Sequence, residues 1–515
     1  MNGMFTDSSS GILPPQERRG LLSPVLINTA GWIWISLSCF LSIPLAVSVI
    51  WPHGKVSGHL SDTASIVATL VLALIAGLVA VFISREKITG VRIAAFDGAV
   101  IAAFCWITVG LFASLPYYFS GWIPGFVNCF FEAISGFTTT GATVVPDPAI
   151  MPDSILLWRG MTQWLGGMGI VVLFVAILPA IGESSHNLFQ SEIPGGANFK
   201  KATPRIRSTA RALWTIYLVF TVAETLLLWG VGLSFFDSLL HAFTTVATGG
   251  FSTFPDSKAS ASTIAHWIVI VFMALSGMNF MLHFRLARGE GFGVYFKSAE
   301  LKTYMGILAT AGGLLTLDLL LTNDYPGIGP LQALTHGFFQ ATSILTTTGY
   351  MSADFGQWSY FAQTILFFLM FVGGCSGSTS GGVKAIRHVL AFKAIARELK
   401  RMANPRRVQT LRLDNEVIGE SLTANALVFI TLFMGLFVIG SLGLTLLGMD
   451  MVSAFSASAS CLGNVGPALG TVGPAQTYLE VPTGGKLILI VQMLMGRLEL
   501  FGLILFVMVV TTSKR

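Results

Sequence analysis

The chain has 515 residues, of which 53% are hydrophobic and 11% are charged, and its formal net charge is +5. Soluble domains carry about 25% charged residues, so this composition excludes an ordinary soluble protein and indicates a chain that crosses a membrane several times. The basic excess does not indicate nucleic-acid binding, because Lys and Arg collect in the cytoplasmic loops of membrane proteins.

Ten apolar stretches follow one another along the chain, and a membrane-spanning helix needs about 20 such residues. They lie near residues 27–50, 63–84, 97–119, 155–180, 210–233, 264–287, 303–322, 360–395, 422–447 and 486–511. Basic residues mark alternate connections, beginning with Arg18 and Arg19 and ending with Lys514 and Arg515. The sequence therefore predicts an all-α polytopic membrane protein with ten transmembrane helices and both termini in the cytoplasm.

Four further apolar segments, between the long stretches, are too short to cross the bilayer: residues 126–137, 235–246, 331–345 and 451–461. Irregular backbone at membrane depth must be buried in protein or face a water-filled cavity, so we expect each segment to form a re-entrant half-helix. The chain then divides into a leader at 1–26, two N-terminal helices at 27–92, and four pseudo-symmetric helix–pore-loop–helix repeats at 93–205, 206–300, 301–415 and 416–515.

A glycine-centred motif follows each half-helix. Its four copies are Thr139-Thr140-Gly141, Thr248-Gly249-Gly250, Thr347-Thr348-Gly349 and Asn464-Val465-Gly466. Backbone carbonyls can replace the hydration shell of a cation, and glycine reaches the unusual backbone angles that aim them inward. The half-helix C-termini add partial negative charge. Glycines that only permit close helix packing are the alternative. Four copies in register favour a cation selectivity filter, and the lack of an acidic ring disfavours divalent ions.

A second glycine-rich stretch, residues 373–382, interrupts the eighth apolar run. Gly and Ser disfavour a lipid-facing helix, so we expect this stretch to break the span inside the protein, with a flexible helix kink as the alternative.

Arg497 lies inside the last apolar run, where a charge must be compensated. Arg497 either pairs with an acidic side chain in a structural role or acts as a positively charged barrier to cations. Glu499 is a poor partner, because helical residues two apart do not face each other.

For other polar residues at membrane depth, the sequence predicts a structural role or no particular role. Glu132 and His241 lie nine residues before a filter glycine, with Gln340 and Ala457 as counterparts, which predicts hydrogen-bonded anchoring of the half-helices. A pair between Arg159 and Glu224 is conceivable, but the pattern assigns neither a role. No spacing of His, Cys, Asp and Glu matches a metal site and no phosphate-binding loop is present, so we expect no cofactor besides a transported ion.

With these four motifs and two extra leading helices, the chain resembles the TrkH/KtrB family of potassium uptake proteins, which includes plant high-affinity potassium transporters. The resemblance extends from about residue 25 to the end. It implies K⁺ as the transported ion, because family members with a serine in place of the first filter glycine prefer sodium, whereas all four positions are glycine here. The fourth motif departs most, with Asn464 and Val465 before the glycine and Pro467 after it.

The resemblance also implies a gate, a cellular location and partners. Residues 373–382 would form an intramembrane loop that obstructs the pore beneath the filter, with Arg497 as a barrier beside it. The predicted gate residues are Gly373, Gly374, Ser376, Gly377, Ser378, Gly381, Gly382 and Arg497. The protein would be a homodimer in the bacterial inner membrane that binds a cytoplasmic nucleotide-binding subunit of the TrkA type, for which the basic stretch 384–412 offers a docking surface.

Two other classes of protein fit parts of the pattern. An alternating-access secondary K⁺ symporter, coupled to H⁺ or Na⁺, also uses internal repeats and broken helices. An intramembrane serine protease would use the sequence Gly374-Cys375-Ser376-Gly377, but it would leave the four filter motifs unexplained.

Overall fold

The computed structural model describes residues 24–52, 56–85, 95–169, 206–255, 262–322, 328–404, 410–414 and 416–512, and their regular secondary structure is almost entirely α-helical. In chain order the helices are α1 (Pro24–Ile50), α2 (Asp62–Ser84), α3 (Ala95–Ser120), α4 (Phe126–Phe137), α5 (Asp153–Gly167), α6 (Ile206–Gly230), α7 (Phe235–Val246), α8 (Thr263–Ser276), α9 (Phe280–Ala287), α10 (Gly293–Lys297), α11 (Ala299–Leu321), α12 (Pro330–Leu345), α13 (Tyr360–Leu369), α14 (Ala385–Ala403), α15 (Glu420–Leu446), α16 (Met451–Gly463), α17 (Thr483–Arg497) and α18 (Phe501–Thr512). Strands β1 (Arg412–Leu413) and β2 (Glu416–Val417) form a small antiparallel ribbon in which Arg412 faces Val417.

Six of the described helices are long and apolar enough to cross a membrane: α1, α2, α3, α6, α11 and α15. Two bent pairs raise the number to eight if each counts as one span, with a bend of 95° between α8 and α9 and of 115° between α17 and α18. The second bend has a local cause, because Glu499 and Leu500 both adopt left-handed backbone angles. An all-helical polytopic membrane protein is thus confirmed, with six to eight candidate spans in the described residues where the sequence predicted ten.

The two predicted spans that are missing from this number have different explanations. The run at 360–395 forms α13 and α14, separated by a non-helical loop, so the glycine-rich stretch breaks the span as predicted and does not merely kink it. The run at 155–180 forms α5, but residues 170–205 lie outside the described residues. The leader up to residue 23, with Arg18 and Arg19, and the C-terminal Lys514 and Arg515 also lie outside them.

The four half-helices form where the sequence predicted them. Helices α4 and α7 have the predicted bounds, α12 begins one residue earlier and α16 ends two residues later. Two of them begin with a side-chain cap: Ser234 accepts a hydrogen bond from the Asp237 amide at 3.0 Å, and Asp450 accepts one from the Ser453 amide at 3.0 Å. Hydrogen bonds from Ser453 also lower the pKa of the Asp450 carboxyl, which keeps it ionised as a cap.

Three of the four half-helices pack against a helix of a neighbouring predicted repeat. Helix α5 of the first repeat packs on half-helix α7 of the second, and α8 of the second packs on half-helix α12 of the third. Helix α17 of the last repeat packs on half-helix α4 of the first. The repeats therefore follow one another around a common centre, and the half-helices lie inside the bundle.

The two N-terminal helices pack against each other and against the first repeat. Helices α1 and α2 touch at Gly31 and Gly77, where a Cβ on either glycine would collide with the carbonyl oxygen of the other. Asp62 at the start of α2 accepts a hydrogen bond from Ser154 of α5 at 2.7 Å. The outer face of α2 exposes large apolar side chains such as Leu78 and Phe82, as expected of a surface in contact with lipid.

Candidate functional site

All four half-helices end in the same hydrogen-bonded turn. In each, the amide before the filter glycine bonds back to the carbonyl oxygen five residues earlier: Thr140 to Ser135 at 2.9 Å, and Gly249 to Thr244, Thr348 to Ser343 and Val465 to Ser460 at 2.8 Å. The residue inside this turn is left-handed in every copy, with φ of 53° at Thr139, 54° at Thr248, 56° at Thr347 and 55° at Asn464. This Schellman-type cap turns the chain sharply away from the helix axis.

The left-handed residue is a threonine in three of the copies, and this is strained. A β-branched residue in this conformation costs about 1–3 kcal/mol, and such strain persists only where other contacts hold it in place. The three hydroxyl groups make these contacts: Thr139 with Arg497 Nη1 at 3.1 Å, Thr248 with Thr379 Oγ1 at 3.3 Å, and Thr347 with the Gly381 amide at 2.7 Å. All three partners belong to the predicted gate region.

The four glycines of the predicted filter, which we call the glycine ring, lie where the backbones of the four loops approach one another closely. Gly141, Gly250, Gly349 and Gly466 all have positive φ, between 79° and 104°. A Cβ added at each would collide with a carbonyl oxygen of the next loop: Gly141 with Gly249, Gly250 with Thr348, Gly349 with Val465, and Gly466 with Thr140. The contacts run in chain order and close on themselves. All four glycines also line one cavity. A side chain at any of these positions could be accommodated only if a carbonyl of the next loop moved.

Polar residues at the position nine residues before each glycine were predicted to anchor the half-helices, and three of them bond the extended segments that follow the glycines. The Val144 amide donates to Glu132 Oε2 at 2.9 Å, His241 Nε2 lies 3.2 Å from Ser252 Oγ, and Gln340 Nε2 donates to the Tyr350 carbonyl at 3.0 Å. In the fourth repeat the counterpart is Ala457, and Ser460 Oγ donates to the Pro467 carbonyl at 2.8 Å instead. The anchoring role is thus confirmed in three repeats and is taken over by a serine in the fourth.

The sequence analysis assigned no role to Arg159 and did not single out Gln163, although both residues of α5 lie next to the predicted filter. Arg159 pairs with Glu132, at 2.6 Å between Nε and Oε1, rather than with Glu224. Gln163 donates to the Gly249 carbonyl at 2.7 Å and accepts from the Phe251 amide at 3.0 Å. Both residues reach from the first repeat to the loop of the second, and such contacts leave no local signal in the sequence.

The stretch 373–382, which we call the gate loop, is buried apart from half-buried Gly377 and touches the ends of three half-helices. Thr379 Oγ1 donates to the Val246 carbonyl at 3.0 Å, at the end of α7. The Gly381 amide bonds to Thr347, which follows α12, and a Cβ on Gly381 would contact the Gly463 carbonyl at the end of α16. The gate loop therefore lies against the C-terminal ends of three half-helices.

Arg497 joins the gate loop to the first repeat. Its Nη1 donates to the Thr379 carbonyl at 2.9 Å and to Thr139 Oγ1, while its Nη2 donates to the carbonyls of Gly166 and Gly167 at the end of α5. Glu499 instead pairs with Arg387 at 2.6 Å, which agrees with the expectation that it is a poor partner for Arg497. Carbonyl dipoles at a helix C-terminus thus stabilise the guanidinium next to the filter.

Two charged residues that the sequence analysis did not single out also hold the gate loop. Glu300, at the start of α11, accepts hydrogen bonds from the Ser376 amide at 2.6 Å and the Ile386 amide at 3.2 Å. Lys384 is buried, and its ammonium group donates to the Ser380 carbonyl. These contacts explain how a stretch rich in glycine and serine remains ordered inside the protein.

Four short helices whose C-termini meet inside a bundle of helices long and apolar enough to cross a membrane are typical of a membrane transport protein for cations. The chain belongs to the TrkH family, described as cation transport proteins, and the family matches residues 63–515.

Similar proteins support this assignment. The chain is 39% identical over 411 residues to the Trk system potassium uptake protein TrkH of Salmonella typhimurium, covering 79% of this chain and 84% of that protein. It is 34% identical over 482 residues to the Trk system potassium uptake protein TrkI of Halomonas elongata, covering 92% and 94%. The crystal structure of the potassium transporter TrkH from Vibrio parahaemolyticus matches with a TM-score of 0.81 and 35% identity, over 93% of this chain and 97% of that one.

Proposed function

We propose that this chain is the membrane subunit of a Trk-type potassium uptake system, and that K⁺ crosses the bacterial inner membrane through a gated pore at its centre. Relatives named as potassium uptake proteins support the substrate. The single observation that carries the mechanism is the closed glycine ring, in which each glycine leaves no room for a Cβ beside a carbonyl oxygen of the next loop.

The proposed filter selects a monovalent cation by backbone chemistry. Carbonyls of the residues before the glycines, namely Thr140, Gly249, Thr348 and Val465, lie at the contacts between adjacent loops and can replace the water around an ion. The four half-helix C-termini add partial negative charge at the same place without a full charge. Such a site suits an ion that sheds its hydration shell easily.

The proposed gate is the gate loop together with Arg497. In the conformation described, the loop is bonded to the ends of the half-helices and Arg497 places a positive charge next to Thr139. An ion leaving the filter toward this side meets both obstacles. Opening therefore requires the loop to exchange its hydrogen bonds to Val246 and Thr347 for bonds to other partners. It also requires Arg497 to move, or its repulsion of the ion to be neutralised.

The finer points of topology and assembly complete the proposal. We assign ten spans, with cytoplasmic termini, two N-terminal helices at 27–92 and four repeats that begin at residues 93, 206, 301 and 416. The protein acts as a homodimer with a TrkA-type regulatory subunit. Basic residues of α14, including Lys393 and Arg397, offer that subunit a charged surface on the cytoplasmic side.

Rubidium uptake into liposomes that contain the purified chain tests this function. K⁺, Na⁺ and Cs⁺ serve as competitors, and Gly141→Ser is compared with Gly435→Ser, because Gly435 has open space around it on a span whereas Gly141 abuts Gly249. We expect K⁺ but not Na⁺ to inhibit uptake, and only Gly141→Ser to weaken this discrimination. Slow uptake that requires a fixed ratio of H⁺ or Na⁺ would instead identify an alternating-access symporter.

A further inference from the structure

A buried ion pair lies behind the outer end of the proposed filter. Glu132 on half-helix α4 is fully buried, Arg159 on α5 is 3% exposed, and their charged groups meet at 2.6 Å. Both side chains also bond Thr143, two residues after Gly141: the Thr143 hydroxyl lies 3.0 Å from Glu132 Oε1 and 3.0 Å from Arg159 Nη2. The pair therefore fixes the segment that follows the first filter loop.

Arg159 also holds the segment that follows the second filter loop. Arg159 Nη1 donates to the Ser252 carbonyl at 2.9 Å, and the guanidinium carbon lies 3.8 Å above the centre of the Phe251 ring. Phe251 and Ser252 directly follow Gly250. A planar guanidinium can bond a carboxylate, a hydroxyl and a carbonyl at once while it stacks on an aromatic ring, which a lysine cannot do.

The charge of Arg159 is close to where cations would pass. Arg159 lines the same cavity as the four glycines of the ring. An uncompensated cation at this point would repel K⁺ from the entrance. Glu132 supplies the compensating charge, whereas the counterparts in the third and fourth repeats, Gln340 and Ala457, are uncharged.

We propose that Glu132 and Arg159 are positioning residues for ion selectivity, which hold the first and second filter loops at a fixed separation while Glu132 cancels the charge of Arg159 at the entrance. This inference rests on the proposed function. It separates two effects: loss of Glu132 alone exposes the cation and lowers the uptake rate, and loss of the bridge lowers the discrimination between K⁺ and Na⁺.

Three variants in the full-length protein separate these effects. Glu132→Gln keeps an acceptor for the Val144 amide, as Gln340 does in the third repeat, but leaves Arg159 charged. Glu132→Gln combined with Arg159→Met removes both charges and keeps a long side chain over Phe251. Arg285→Gln, in the half-exposed pair of Arg285 with Glu290, is the control for loss of an ion pair elsewhere.

Rubidium uptake and its inhibition by K⁺ and Na⁺ are measured for each variant in liposomes. We expect Glu132→Gln to lower the uptake rate about tenfold or more. The double variant should recover most of the rate, yet discriminate K⁺ from Na⁺ about fivefold less well, because the Ser252 carbonyl and Thr143 have lost their donor. Arg285→Gln should match the wild type in both respects.

The outcomes distinguish this inference from the proposed function. A wild-type protein without uptake would contradict the proposed function itself. A selective wild type with an equally selective double variant would overturn the bridge, and a normal rate in Glu132→Gln would overturn charge compensation. If size-exclusion chromatography shows that Glu132→Gln does not fold, Arg159→Lys replaces it as the test variant. This variant keeps the positive charge but lacks the planar guanidinium group. It should transport at a near-normal rate with lower selectivity, and unchanged selectivity would overturn the inference.

Discussion

The glycine ring and the gate loop lie next to each other but are built in opposite ways. The ring uses one turn four times, with the same hydrogen bond, a left-handed residue at the same position and the same clash at each glycine. The gate loop and Arg497 each occur once, in the third and fourth repeats. A spherical ion needs ligands from all sides, whereas one obstacle suffices to stop it. Duplication thus suits the proposed filter, and departure from duplication suits the proposed gate.

The largest expected effect comes from breaking the symmetry of the ring. In Gly250→Ala, the added Cβ would collide with the Thr348 carbonyl, and the position has a φ of 79°. We expect rubidium uptake to be nearly abolished while the protein still elutes as a single species. Gly435→Ala, where the structure leaves open space, should transport normally. Normal uptake by Gly250→Ala would show that the loops do not need this close contact.

The next effect comes from removing the charge beside the gate. In Arg497→Ala, the cationic barrier and the bonds to Thr139 and Thr379 are lost, so we expect basal uptake without a regulatory subunit to rise about tenfold. Arg497→Lys keeps the charge and should stay closer to the wild type. Flux measurements in liposomes compare the three proteins, and an unaltered flux in Arg497→Ala would refute the barrier.

A smaller effect tests the contact between the two regions. Thr347→Val keeps the β-branched shape but removes the acceptor for the Gly381 amide, so we expect the gate to open more easily and basal uptake to rise roughly threefold to tenfold. Thr364→Val, at an exposed threonine whose hydroxyl bonds the Tyr360 carbonyl within one helix, is the matched control. Equal uptake by both variants would indicate that this hydrogen bond does not hold the gate closed.

The ring was predictable from the sequence because its signals are local. A half-helix, its cap and its glycine lie within about 15 residues of one another, and four copies in register reinforce a weak pattern. The break at 373–382 was predictable for the same reason, since glycine and serine disfavour helix directly.

The residues that hold these parts together were not predictable in this way. Arg159 and Glu132 are 27 residues apart and meet only because α5 packs against α4. Gln163 contacts Gly249 from a different repeat, and Glu300 reaches Ser376 across 76 residues. Such contacts depend on how the repeats are arranged around the centre, which no periodicity in one stretch reveals.

The most direct test of the central claim is to locate the ion. Crystals of the wild-type protein grown in rubidium, with diffraction collected at the rubidium absorption edge, would show where the cation binds. Our account predicts an anomalous peak at the centre of the glycine ring, coordinated by the carbonyls of Thr140, Gly249, Thr348 and Val465. An empty ring with a peak at another site would contradict it.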